Sequence, residues 1–338
     1  MSEKSQWGSK LGFILASAGS AIGLGAVWKF PYMTAANGGG GFLLVFLIST
    51  ILIGFPLLLA EFALGRSAGV SAIKTFGKLG KNSKYNFIGW IGAFALFILL
   101  SFYSVIGGWI LVYLGIEFGK LFQLAGTSDY AQLFTSIISN PAIALGAQAA
   151  FILLNIFIVS RGVQKGIERA SKVMMPLLFI VLPQLFDKMP FGTIFYILFL
   201  LLFLFATVTS SVVMLEINVG NITNQDNSKR AKWSVILGIL TFVFGIPSAL
   251  SYGVMADVHI FGKTFFDAMD FLVSNLLMPF GALCLSLFTG YIFKKALAME
   301  ELHLDETAWK QGLFQVWLFL LRFVIPIIII VVFIAQFM

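Results

Sequence analysis

Apolar residues run in long unbroken blocks along this chain. The blocks lie near residues 11–32, 41–64, 86–116, 142–160, 190–220, 233–253, 271–293 and 314–337. Each approaches or exceeds the ~20 residues that carry a helix across a bilayer core. The blocks are continuous rather than alternating, which excludes a β-barrel. A ninth block, 173–186, reads Val-Met-Met-Pro-Leu-Leu-Phe-Ile-Val-Leu-Pro-Gln-Leu-Phe. As a helix it rises only about 21 Å, against a hydrocarbon core of roughly 30 Å. It also carries Pro176, Pro183 and Gln184. No long polar segment interrupts the pattern, so an all-α polytopic membrane protein with about nine spans is expected.

Charge orders these spans. Loop 65–85 holds Arg66, Lys74, Lys78, Lys81 and Lys84 and no acid; loop 161–172 holds Arg161, Lys165, Arg169 and Lys172 against Glu168; loop 221–232 holds Lys229, Arg230 and Lys232. With Lys4, Lys10, Lys294, Lys295 and Lys310 these make most of the 22 basic residues. The positive-inside rule then places the N-terminus in the cytoplasm. The assignment requires the short block to cross, because otherwise loop 221–232 would face outward. The net charge of +7 is thus mostly topology, not recognition of an acidic partner.

Composition narrows the class. Only 11% of the 338 residues are charged and mean hydropathy is +0.97, whereas soluble domains average about 25% charged. An ordinary soluble enzyme, a disordered chain and a nucleic-acid binder are excluded. The single Cys284 excludes a disulfide framework, and the first apolar block leads straight into Lys29-Phe30-Pro31 with no cleavable signal peptide evident. His259 and His303 fall in loops on opposite sides, which argues against an intramembrane enzyme.

The first block contains Gly19, Gly23 and Gly25, with Ser20 between. Glycine costs about 1 kcal/mol relative to Ala inside a helix, so three in seven residues favour an unwound stretch. Carbonyls freed at membrane depth need a cavity, ion or ligand to satisfy them. One reading is a discontinuous helix that coordinates a cation and faces an anionic group; the other is close helix packing through small residues. Both stay open on these residues alone. The glycines at 38–41 add a flexible external turn. Glu61 and Glu216 are acids within spans, a costly placement that marks a functional or paired group. Gly245-Ile246-Pro247 is read as a proline-kinked packing helix.

Trp7 to Pro31, then Gly38-Gly39-Gly40-Gly41-Phe42, then Gly54-Phe55-Pro56 through Glu61-Phe62-Ala63-Leu64-Gly65-Arg66, closely resemble the neurotransmitter:sodium symporter family. The resemblance continues in Ser101-Phe102-Tyr103 with Trp109, in Phe205 to Ser211, and in Phe266-Asp267-Ala268-Met269-Asp270-Phe271. It implies two inverted five-helix repeats around a midplane site, and sodium-driven movement of amino acids or related amines. Residues 1–338 then form one transmembrane domain: 1–182 the first repeat, its last helix truncated, and 183–338 the remainder of the second repeat plus a final helix. The family's sixth and seventh helices are expected to be absent, because Met175 to Ile180 runs straight into Val181-Leu182-Pro183. Losing two helices preserves the parity of the topology.

The resemblance also implies a site. A sodium ion would be held by Gly19, Ile22, Ala206, Thr209 and Ser210, all through oxygens, as a hard cation prefers. Thr209 and Ser210 could instead bond back within their own helix. The first sodium site of the family loses an amide oxygen, since Ala26 stands where Asn is usual. Substrate would meet Ala21, Gly25, Tyr103 and Ser210, with Leu99 and Met214 as an apolar wall. Without the resemblance, Tyr103 reads as a buried hydroxyl bonded to nearby backbone. Lys29 and Asp270 match the outer charged gate, with Lys for the usual Arg, and Lys4 matches the inner gate, whose acidic partner is replaced by Asn224 with Asp226 nearby. The expected function is sodium-coupled symport of an amino acid or amine across the plasma membrane, with Na⁺ and no organic cofactor. The expected shortening suggests a second reading, a non-transporting membrane scaffold or a degenerate family member that needs a partner chain, and a third, a gene-model fault near Ile180.

Overall fold

A computed structural model describes residues 8–121, 130–169, 174, 192–304 and 307–336. The helices are α1 (Lys10–Ala21), α2 (Gly25–Ala36), α3 (Gly40–Ala68), α4 (Ala72–Leu79), α5 (Ser83–Lys120), α6 (Tyr130–Ser139), α7 (Pro141–Ser160), a short α8 (Val163–Glu168), α9 (Gly192–Thr223), α10 (Asn227–Leu250), α11 (Phe265–Ile292), α12 (Lys295–Glu301) and α13 (Ala308–Ala335). Strands β1 (His259–Ile260) and β2 (Lys263–Thr264) pair antiparallel ahead of α11. Among the described residues, seven helices are long and apolar enough to span a membrane, and α1 with α2, bent by 59°, make an eighth if counted as one span. These correspond one for one to the eight long apolar blocks. Apart from Met174, the short block 173–186 lies outside the described residues.

Prolines within the spans are accommodated locally. Four helices carry a proline at Pro31, Pro56, Pro279 and Pro326, and each is preceded by a widened π turn that ends two residues earlier. In each, the residue before the proline donates its N–H five residues back: Phe30 to Gly25, Phe55 to Thr50, Met278 to Val273 and Ile325 to Leu320. A proline ring clashes with the carbonyl four residues earlier. One extra residue in the preceding turn relieves that clash without ending the helix.

The chain divides into two compact units that interleave in sequence. The first comprises residues 1–32 and 96–270, the second 33–95 and 271–338. The first is built around Phe151, Val159, Val219 and Trp109. Buried polar contacts fix its helices. Gln148 on α7 donates to the Ser104 hydroxyl on α5 at 3.2 Å, and Ser211 on α9 donates to Asn155 on α7 at 2.7 Å. Glu216 on α9 pairs with the buried Arg230 on α10, as a structural acid should. The second unit packs around Phe288, Phe314 and Leu321. There the Trp317 indole donates to the Pro56 carbonyl at 3.0 Å, and Arg322 within α13 donates to the Gly290 carbonyl at 2.6 Å.

Candidate functional site at the break in the first span

α1 begins where Ser9 caps it, the hydroxyl accepting from the Gly12 N–H. It ends at Ala21, and Ile22 leaves helical geometry with ψ 72°. Gly23 follows, and the backbone re-enters a helix as the π turn Gly25–Lys29. The break therefore falls within the glycine-rich stretch, and carbonyls near it are released from the helical ladder.

α9 supplies hydroxyls to those carbonyls. Thr209 Oγ1 lies 2.9 Å from the Gly19 carbonyl, and also within reach of the Phe205 and Ala206 carbonyls of its own helix at 2.9 and 3.0 Å. Ser210 Oγ lies 3.0 Å from the Ser20 carbonyl and 3.3 Å from that of Gly19. Thr209 thus bonds back within its own helix and also reaches the break in α1. Ile22 packs beside Leu202 and Ala206, with Ala206 fully buried. The Ser211–Asn155 bond on the far side of α9 sets the rotation that turns Thr209 and Ser210 toward α1.

Tyr103 on α5 closes the other side. Its hydroxyl accepts the Leu24 N–H at 3.2 Å, one of the donors left by the broken helix. Gly23 sits between the two walls. A Cβ there would lie 2.5 Å from Ser210 Oγ and 2.9 Å from the Tyr103 oxygen, so only glycine fits without displacing one of them. Gly25 differs, with no atom of the described residues within 4 Å of where a Cβ would be. Ala21 is exposed at the end of α1. Leu99 and Met214 are half-buried, one helical turn from Tyr103 and from Ser210 on the same faces.

The groups at the break are all oxygen: carbonyls of Gly19, Ser20 and Ala206, that of Ile22 where α1 ends, and hydroxyls of Thr209 and Ser210. Hydroxyls that now donate can turn their lone pairs to a cation, so the set suits a hard monovalent ion. Ser20 is an addition to the residues expected from sequence. Its side chain gives no hint of this, because its backbone carbonyl is what faces Ser210.

At the rim, Lys29 Nζ lies 3.2 Å from Asp270 Oδ2, both side chains exposed. Nearby, Tyr252 donates to Asp267 at 3.5 Å, and burial together with the Asp267 charge pushes its phenol above the ordinary range. Lys4 lies outside the described residues. Asp226, near its expected counterpart, caps α10 by accepting the Ser228 N–H at 3.0 Å and the Ser228 hydroxyl at 2.8 Å. These bonds hold its carboxyl below the usual value.

Residues 4–132 match the profile of the Sodium:neurotransmitter symporter family. An uncharacterized sodium-dependent transporter of Bacillus subtilis, YhdH, is 39% identical over 436 residues, covering 97% of this chain and 96% of the relative. The chain belongs to the sodium:neurotransmitter symporter family. Another relative, an uncharacterized sodium-dependent transporter of Haemophilus influenzae, is 26% identical over 99% of this chain and 98% of its own length. Among solved structures, MhsT in complex with L-phenylalanine superimposes with a TM-score of 0.88 at 30% identity, covering 98% of this chain and 100% of that one. The protein is therefore an all-α polytopic membrane transporter by fold and not an enzyme, and its family uses sodium. The alignment with YhdH is about a hundred positions longer than this 338-residue chain although both sequences are covered nearly end to end. YhdH thus carries internal residues that have no counterpart here.

Proposed function

We propose that this protein binds sodium at the break in its first span and uses it to drive symport of an amino acid or related small amine. The observation that carries the reading is the meeting of Thr209 and Ser210 with the Gly19 and Ser20 carbonyls. Gly19, Ile22, Ala206, Thr209 and Ser210 hold the ion, with Ser20 added. Ala21, Gly25, Tyr103 and Ser210 receive the polar end of the substrate, and Leu99 and Met214 line its apolar part. The names of two relatives support an amino acid: MhsT is complexed with L-phenylalanine, and a rat sodium-dependent neutral amino acid transporter, B(0)AT2, is 37% identical over 34% of this chain and 16% of its own. Lys29 and Asp270 form the outer gate and Lys4 the inner one. The protein sits in the cell membrane with a cytoplasmic N-terminus, its charge following the positive-inside rule. Ion and substrate are coupled because each favours the same arrangement of the break.

A second reading rests on the length of the YhdH alignment. If the residues without counterpart belong between Ile180 and Val181, the chain lacks the two helices that complete the substrate pocket. Residues 1–182 are then a first repeat with a truncated last helix, and 183–338 the rest. Such a chain binds sodium but moves substrate only with a membrane partner that supplies the missing wall. Amino-acid uptake into proteoliposomes, with sodium replaced by choline as control, separates the readings. Uptake by the purified chain supports symport. Saturable sodium binding without uptake supports the second reading, and absence of both contradicts the site itself.

A further inference from the structure

α8 brings a carboxylate to the start of the broken helix. Glu168 is 3% exposed. Its Oε2 accepts the Gly8 N–H at 2.8 Å, and its Oε1 accepts the Ser9 hydroxyl at 2.7 Å. The Ser9 oxygen in turn accepts the Gly12 N–H at 3.0 Å. Glu168 is therefore tied, directly or through Ser9, to two N–H groups at the N-terminal end of α1, and adds negative charge where the helix dipole is positive. The fit is close: a Cβ at Gly12 would lie 2.2 Å from Glu168 Oε1. α8 itself is held by Ile167, 2% exposed in the core of the first unit.

At the expected inner gate, Asp226 is engaged in capping α10, whereas Glu168 engages α1 itself. We infer that Glu168 is a positioning residue for the sodium site, pinning the inner arm of the broken span through Gly8 and Ser9 so that the Gly19 and Ser20 carbonyls face Thr209 and Ser210. The inference deepens the proposed function and rests on reading those carbonyls as sodium ligands. α1 is only twelve residues long, and a helix is stiff over that length. A shift at Ser9 is thus transmitted to Gly19 rather than absorbed on the way. Release of the carboxylate leaves the arm held only at its Gly19–Ser20 end.

The test compares Glu168→Ala, Glu168→Gln and Gly12→Ala in the purified full chain by two readouts. One is amide hydrogen exchange at residues 8–12, with α7 and α10 as internal references for an intact fold. The other is equilibrium sodium binding. Removing a buried charged acceptor should raise exchange at 8–12 and weaken sodium affinity, each by about tenfold or more. Gly12→Ala displaces the carboxylate without deleting it and should do the same. Glu168→Gln keeps one acceptor oxygen and should recover part of both. Unchanged exchange overturns the pinning. Raised exchange with unchanged sodium affinity overturns the positioning role. A wild-type chain with no sodium affinity overturns the site reading and the positioning role with it, while the exchange readout still reports whether the carboxylate holds α1.

Discussion

The two sides of the break in the first span are built differently. On the inner side, Gly19 and Ser20 present carbonyls to two hydroxyls of α9, every group is engaged, and Gly23 leaves no room for even a methyl group. On the outer side, no described residue comes within 4 Å of a Cβ at Gly25, and Ala26 offers no side-chain oxygen. The inner side is assembled within one compact unit, from α1, α5 and α9. Among the described residues, the outer side is the less crowded of the two. The difference separates two demands that a coupled transporter normally meets together: an ion site is a matter of a few well-placed oxygens, whereas a substrate site needs a complete wall.

That contrast can be broken most sharply at Gly23. Gly23→Ala forces a methyl against Ser210 and Tyr103, a strain of roughly 1–3 kcal/mol, and should lower sodium affinity by an order of magnitude or more, measured by equilibrium binding. Gly25→Ala, two residues on, should leave sodium affinity within about twofold, because surrounding space costs little to fill. Equal effects of the two substitutions would erase the distinction between the sides.

Thr209→Val and Ser210→Ala should each weaken sodium binding by about tenfold, the loss of one ligand worth roughly 1.4 kcal/mol, while Thr209→Ser retains most of it. Tyr103→Phe strips the acceptor from the Leu24 N–H. An unsatisfied buried donor costs roughly 1–3 kcal/mol, seen as a lower melting temperature in detergent. The rim should respond least. Lys29→Gln removes an exposed ion pair worth at most about 1 kcal/mol, an effect that salt should mask. Asp226→Ala loses a cap that is strongest when the carboxylate is ionised. Its folded-state value is lowered, so its stabilisation is full above the ordinary carboxylate range and fades as pH falls through the lowered one. Melting curves of the two proteins should therefore converge in acid.

Much of this was legible beforehand. The eight long apolar blocks became the eight spans because hydrophobic length is a direct reading of the bilayer. The break is legible as three glycines, whereas Thr209 and Ser210 are set apart from Thr207 and Ser211 beside them only by the family resemblance. Other features were not. The π turns before Pro31, Pro56, Pro279 and Pro326 depend on how a helix accommodates a ring it cannot bond to. Ser20 enters through its backbone, which every residue shares. Glu168 reads in sequence as one acid in a basic loop, and only the path of α8 brings it to Ser9.

The central claim is that the inner side of the break binds sodium by itself. Equilibrium sodium binding to the purified chain, wild type against Thr209→Val/Ser210→Ala, tests it most directly. The account predicts saturable binding in the wild type, not competed by choline and lost in the double variant. Identical titrations of the two proteins would contradict it.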